Sequence, residues 1–175
     1  MLLGLFLACS PAPEDIAKAI ASANPVMRED SAKIAQGYSD PVVEAALLSV
    51  LADPALLVRL NAIESLAEIE ATTAGPALID RLTNDTDPRV RRAAADALGR
   101  LKVVDAVPVL IAHLASHGPD DRDQLVAVWA LGSIGSEGLE AGPRQATLDA
   151  LVNLRTLTTD KYIRYQTTAA LRTLK

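Results

Sequence analysis

Two histidines, one cysteine and a run of arginines are the residues of this chain whose type and spacing could do chemistry. His113 and His117 are four apart, so a helix would set them on one face, the spacing of two ligands to one zinc. Asp120, Asp121 and Asp123 follow closely enough to supply a third ligand. The competing reading puts both imidazoles near a helix C-terminus, where the dipole favours a cation. The Glu that a zinc hydrolase places beside its His is missing, so we assign no metal and no cofactor. Arg89, Arg91, Arg92 and Arg100 form the one local excess of positive charge, interleaved with Asp85, Asp87 and Asp96. That pattern reads as a solvated face, or as a site for an anionic protein partner. Gly132-Ser-Ile-Gly135-Ser-Glu-Gly138 follows a helical pattern rather than a strand, and reads as a helix stop and loop rather than a phosphate cradle. No G-x-S-x-G turn presents a nucleophile. We therefore assign no catalytic residue and expect a protein that is not an enzyme.

These residues must be positioned by a fold that the composition narrows sharply. The chain has 175 residues, half of them hydrophobic, and only five aromatics: Phe6, Tyr38, Trp129, Tyr162 and Tyr165. A core this poor in aromatics is built from Ala, Leu, Val and Ile, which suits close helix packing. The net charge of −5 argues against a nucleic-acid binder held by bulk charge, and nucleic acid is not expected as a partner. A single cysteine excludes an internal disulfide.

Internal repetition is the strongest signal. In the segment from Leu82 to Leu101, apolar residues fall at Val90, Ala94, Ala97, Leu98 and Leu101, one helical stripe. Moved back by 32, Asp53, Val58, Arg59, Ala62 and Leu66 fall on Asp85, Val90, Arg91, Ala94 and Leu98. Moved forward by 33, Gln124, Ala127, Ala130, Leu131, Gly132 and Ile134 match Arg91, Ala94, Ala97, Leu98, Gly99 and Leu101. A last copy holds Ile163, Arg164, Ala170, Leu171 and Leu174, and a faded first copy lies at Asn24-Pro25 with Arg28 and Ala35. Each copy reads as a helix pair. Pro88 suits the first turn of the second helix, with Asp85 or Asp87 to cap it. The first helices span Val42 to Leu51, Pro76 to Leu82, Ala106 to Leu114 and Pro143 to Leu157, separated by Asp-Pro and Gly-Pro breakers. One pair cannot bury its own stripe, so the pairs must stack.

The pattern Asp85-x-Asp87-Pro88-x-Val90-Arg91-x-x-Ala94-x-x-Ala97-Leu98-Gly99 resembles the HEAT repeat, in the subtype first noted in phycocyanobilin lyases. The resemblance covers roughly residues 41 to 174 and implies an all-α fold, a short right-handed α-solenoid of four to five helix pairs. It also implies a ladder in which an Asp and an Arg six apart bond across neighbouring repeats. Here that ladder would use Asp53 with Arg59 and Asp85 with Arg91; Arg164 keeps its place opposite Thr158, and Gly118 and Gln124 depart from it. A bilin-lyase activity is a minority implication, and a purely structural spacer is a third.

At the N-terminus, eight apolar residues precede Cys9-Ser-Pro-Ala-Pro13, too few to span a bilayer. Phe6-Leu-Ala-Cys9 resembles the lipobox of bacterial lipoproteins, which implies a lipid on Cys9, residues 1–13 as signal and tether, and residues 14–175 as the repeat domain. The expected address is the cell envelope, lipid-anchored, with the cytoplasm as the alternative. Aligning the copies places Arg89, Arg92, Arg122, Trp129, Tyr162 and Tyr165 on the outward face of the second helices. In stacked helix pairs that face usually lines the concave side, so these six are the expected surface for an unknown protein or peptide.

Overall fold

The computed structural model describes residues 10–116, 118, 124–136 and 138–174. Among these residues ten α-helices run in chain order: α1 Pro13–Ile20, α2 Pro25–Ile34, α3 Pro41–Ser49, α4 Leu56–Glu68, α5 Gly75–Asn84, α6 Pro88–Arg100, α7 Val107–Ala115, α8 Gln124–Gly135, α9 Ala141–Leu157 and α10 Lys161–Thr173. Short 3-10 turns at Ala35–Gly37, Thr72–Ala74 and Val104–Ala106 sit between pairs. No strand occurs among the described residues. The helices form five consecutive pairs, an α-solenoid, and the faded first copy is a complete pair, α1 with α2.

Local sequence sets the helix starts. Pro13, Pro25, Pro41 and Pro88 open their helices, where the missing N–H costs nothing. Asn24, Asp40, Asp87 and Asp160 cap α2, α3, α6 and α10; the Asp87 carboxylate accepts from the Arg89 N–H at 2.9 Å, and Asp160 from the N–H groups of Tyr162 and Ile163 at 2.7 and 3.1 Å. Of the two capping candidates for α6, Asp87 does the capping. Asp85 instead turns its carboxylate to the Asp87 N–H, 3.0 Å away, and to the neighbouring repeat.

Packing follows the stripe. Val90, Ala94, Ala97, Leu98 and Leu101 are all buried, and so are their counterparts Val58, Ala62 and Leu66, then Ala127, Ala130, Leu131 and Ile134, then Ile163, Ala170, Leu171 and Leu174. Burying each Leu or Ile contributes about 1.5–3 kcal/mol, and the copies together make one continuous core. The second helices α2, α4, α6, α8 and α10 lie directly against one another along the array, while α5 and α7 touch only thinly. Small residues permit the close approach. A β-carbon on Gly99 would lie 2.7 Å from the Ala130 Cα, and one on Gly132 would lie 3.2 Å from the Ala170 Cα. Gly132 and Gly135 are thus part of α8 itself rather than a stop and loop; of that glycine run only Gly138 takes positive φ, at 87°.

Candidate interaction surface

The ladder is the scaffold on which the surface rests. Arg59 donates from Nε and Nη2 to the two carboxylate oxygens of Asp85 at 3.0 and 3.1 Å, and from Nη1 to the Asp53 carbonyl at 2.8 Å. Arg59 therefore grips the backbone of its own repeat, six residues back, and the carboxylate of the next repeat. The six-apart partners Asp53 with Arg59 and Asp85 with Arg91 meet through the Asp carbonyl, not the carboxylate. The reason is direction: the arginine leans forward along the stack, where the next turn presents its Asp. Arg28 adds a rung, gripping Asp53 at 2.6 and 3.1 Å while bonding the Ser22 carbonyl at 2.9 Å. Ser22 and Arg28 are also six apart, the signal that could have found this rung. Arg91 donates to the carbonyls of Asp85 at 2.8 Å and Thr86 at 3.4 Å. Arg164 donates to the Thr158 carbonyl at 2.6 Å.

The rungs are partly shielded from water, which shapes their electrostatics. Burial pushes the Asp53 carboxyl up, but hydrogen bonds from Arg28 and the Ala55 N–H, with the charges of Arg28 and Arg59, outweigh it and hold it below its ordinary value. On the open surface, the Arg89 guanidinium grips Asp87 at 2.8 and 3.1 Å and holds its carboxyl down to about 2. Arg100 reaches back to the preceding repeat, to Glu64 at 2.8 Å and Glu68 at 2.6 Å. Asp96 is pushed up by burial, with the Glu64 charge adding and Arg100 opposing.

The aromatic positions are where the surface becomes distinctive. Trp129 is 45% exposed, Tyr162 54% and Tyr165 68%, while Tyr38 is half-buried against the core. Trp129 has a fixed seat, because a β-carbon on Gly99 would lie 2.7 Å from its ring carbon Cζ3. The same indole walls a groove of about 270 Å3 between α8 and α10, floored by Gly132, Ala169 and Ala170 and edged by Ser133, Gln166 and Thr173. One repeat earlier, Arg89, Arg92, Ala93, Asp96 and Val126 line a shallower groove between α6 and α8. Arg89, Arg92 and Trp129 thus sit along neighbouring grooves of the second helices, and Tyr162 and Tyr165 lie on the exposed side of α10. Arg122 and Cys9 lie outside the described residues, as do His117, Asp120, Asp121 and Asp123. His113 lines a cleft of about 400 Å3 between α5 and α7, which Arg91 also lines. No cluster of three or more metal-type ligands occurs among the described residues. Nor, among them, is any helix long and apolar enough to cross a membrane.

A stack of helix pairs sewn together by arginines that bridge successive turns defines a helical-repeat solenoid. The HEAT-repeat profile matches residues 13–87 and again 75–172, and the chain belongs to the HEAT-repeat family. No curated protein sequence matches it. Among solved structures it is similar to the complex of CpcE and CpcF of phycocyanin lyase from Nostoc sp. PCC7120, with a TM-score of 0.75 and 21% identity, covering 100% of this chain and 69% of that one. At that identity the likeness is one of fold.

Proposed function

We propose that the chain is a non-enzymatic scaffold that binds a protein or peptide along the exposed face of its second helices, the concave side of the array. One observation carries this reading: Trp129, Tyr162 and Tyr165 make up most of the aromatics among the described residues, and all are exposed on the second helices. Rigid aromatics at the surface cost little entropy to order and anchor interfaces well. The close column of second helices, beside the thin contact of the first helices α5 and α7, supports placing this face on the inside of the curve. The test is a pull-down that identifies a partner, repeated with Trp129→Ala/Tyr165→Ala. The scaffold reading expects binding to fall at least about tenfold; unchanged capture sinks it.

The reading also places the chain at the cell envelope, held by a lipid on Cys9, on the strength of the lipobox-like Phe6-Leu-Ala-Cys9. Intact mass of membrane and soluble fractions, with Cys9→Ala beside them, decides this. Loss of residues 1–8 with gain of acyl mass supports the tether, and an unmodified soluble species unaffected by Cys9→Ala removes it in favour of the cytoplasmic alternative.

A second reading, an enzyme or enzyme subunit of the bilin-lyase type, is favoured by the likeness to the CpcE–CpcF complex. Mixing the chain with a bilin and an acceptor protein tests it: no transfer and no absorbance change would exclude it.

A further inference from the structure

We propose that α10 is the part of this face that selects the partner, and that the partner segment is acidic: carboxylates meeting Lys161, Arg164 and Arg172, with an apolar side chain on Tyr165. The inference rests on the interaction-surface reading and adds the partner's charge and its docking end.

Charge is distributed unevenly along the chain. Residues 1–87 hold five Lys or Arg against thirteen Asp or Glu, a net −8, whereas residues 88–175 hold twelve against nine, a net +3. The arginines of α6 do not supply the surplus to a partner, because their own chain engages them. Arg89 is held by Asp87, Arg100 by Glu64 and Glu68, Arg91 bonds two carbonyls, and Arg92 has contacts of its own. Helix α10 differs. From Lys161 to Thr173 it contains no Asp or Glu, its Lys161, Arg164 and Arg172 are exposed, and none of the three forms an ion pair with a described residue.

Geometry says what these cations lack. In the N-terminal repeats, Arg28 and Arg59 each bond the carbonyl six residues back and the one after it, and add a two-pronged grip on a carboxylate. Arg164 makes the same carbonyl bond and grips no described carboxylate. Lys161, Tyr165, Thr168 and Arg172 recur at helical spacing on one side of α10. Repeat alignment puts Arg172 where α6 and α8 carry Gly99 and Gly132, the residues that let the next second helix close in. A long cation at that place can reach a carboxylate. Arginine forks match carboxylates, and the exposed Tyr165 gives the segment an apolar contact. Polyanions such as nucleic acid or an anionic bilayer would also meet the strongly acidic N-terminal half, so a short acidic protein segment fits better.

The test uses a labelled peptide of glutamates around one central leucine, its glutamine counterpart, anisotropy at low and high salt, and emission from Trp129, the chain's single tryptophan. The glutamate peptide should bind at least about tenfold more tightly than the glutamine one and weaken with salt. Lys161→Glu/Arg172→Glu should weaken it about tenfold or more, Arg164→Gln should weaken it with the fold checked by circular dichroism, and Lys18→Ala/Lys33→Ala, at exposed cations of the first repeat, should leave it within about twofold. Equal binding of both peptides, indifference to charge reversal on α10, or tighter binding to phosphatidylglycerol vesicles or duplex DNA would each overturn the proposal. If the glutamine peptide binds as well and Trp129→Ala abolishes it, the interaction face survives and the acidic partner falls. If no ligand depends on Trp129 or Tyr165, the interaction face falls too.

Discussion

Arg59 and Asp85 belong to successive repeats, and the Arg59 guanidinium clasps both oxygens of the Asp85 carboxylate at 3.0 and 3.1 Å. Their side chains are 11% and 3% exposed, so the pair works largely out of water. Removing one partner strands the other in that shielded place. Arg59→Ala should lower unfolding free energy by about 3 kcal/mol, with Asp85 left to Arg81 at 3.6 Å. Arg59→Lys should lose much of this too, since an ammonium cannot fork. Urea denaturation checks both, and a loss near zero for Arg59→Ala would mean that the rung contributes nothing to stability.

Acid should loosen the array through the same carboxylates. Asp53 and Asp87 both titrate below the ordinary value of 3.8 in the folded chain, Asp87 at about 2. A carboxyl whose folded pKa is depressed adds stability above its unfolded pKa and loses it as pH falls through the folded one. Stability should therefore drop between about pH 4 and about pH 2, with thermal melts in that range as the readout. Asp53→Asn should flatten the slope, and an unchanged slope would remove Asp53 from the account.

Gly99 is the seat of Trp129, and any side chain there meets the Ala130 backbone at 2.7 Å. Gly99→Ala should cost about 2 kcal/mol and shift the emission of Trp129 as its ring is displaced. An emission spectrum identical to that of the parent would show that the indole does not rest on Gly99.

Two non-glycine residues, Glu70 at φ 57° and Lys102 at φ 53°, occupy equivalent left-handed positions just after α4 and α6. They close those helices, with Ala71 N–H donating to the Leu66 carbonyl at 2.9 Å and Val103 N–H to that of Leu98 at 3.1 Å. Glycine carries no β-carbon penalty there. Glu70→Gly should stabilise by about 1 kcal/mol, read as a rise in melting temperature; a fall would contradict the strain.

The architecture was legible because Val90, Ala94, Leu98 and Leu101 repeat with helical period and recur a repeat away as Val58, Ala62 and Leu66. The exposed aromatics were legible for the same reason, since repeat alignment carries a position from one helix to the next. What escaped was contact between repeats. Asp53 and Arg59 are near in sequence, yet the carboxylate that Arg59 grips lies 26 residues on. The reach of Arg100 to Glu64 spans 36 residues, and the seating of Trp129 on Gly99 has no periodic signature at all. Such pairs depend on the stagger between stacked turns, which a one-dimensional pattern does not record. Within the basic cluster of α6, the carboxylates that neutralise Arg100, Glu64 and Glu68, sit one repeat upstream, where the local sequence does not point.

The second helices form an unbroken column, while on the other side α5 and α7 touch only thinly and clefts of about 400 Å3 and about 500 Å3 open between α5 and α7 and between α7 and α9. From α5 onward, a body built this way is stiff on one side and compliant on the other. Bending that opens or closes the clefts disturbs few packed atoms, whereas sliding along the column breaks Arg–Asp rungs. The array should therefore behave as a leaf spring, with a curvature that a bound partner can adjust while the order of its inner residues stays fixed.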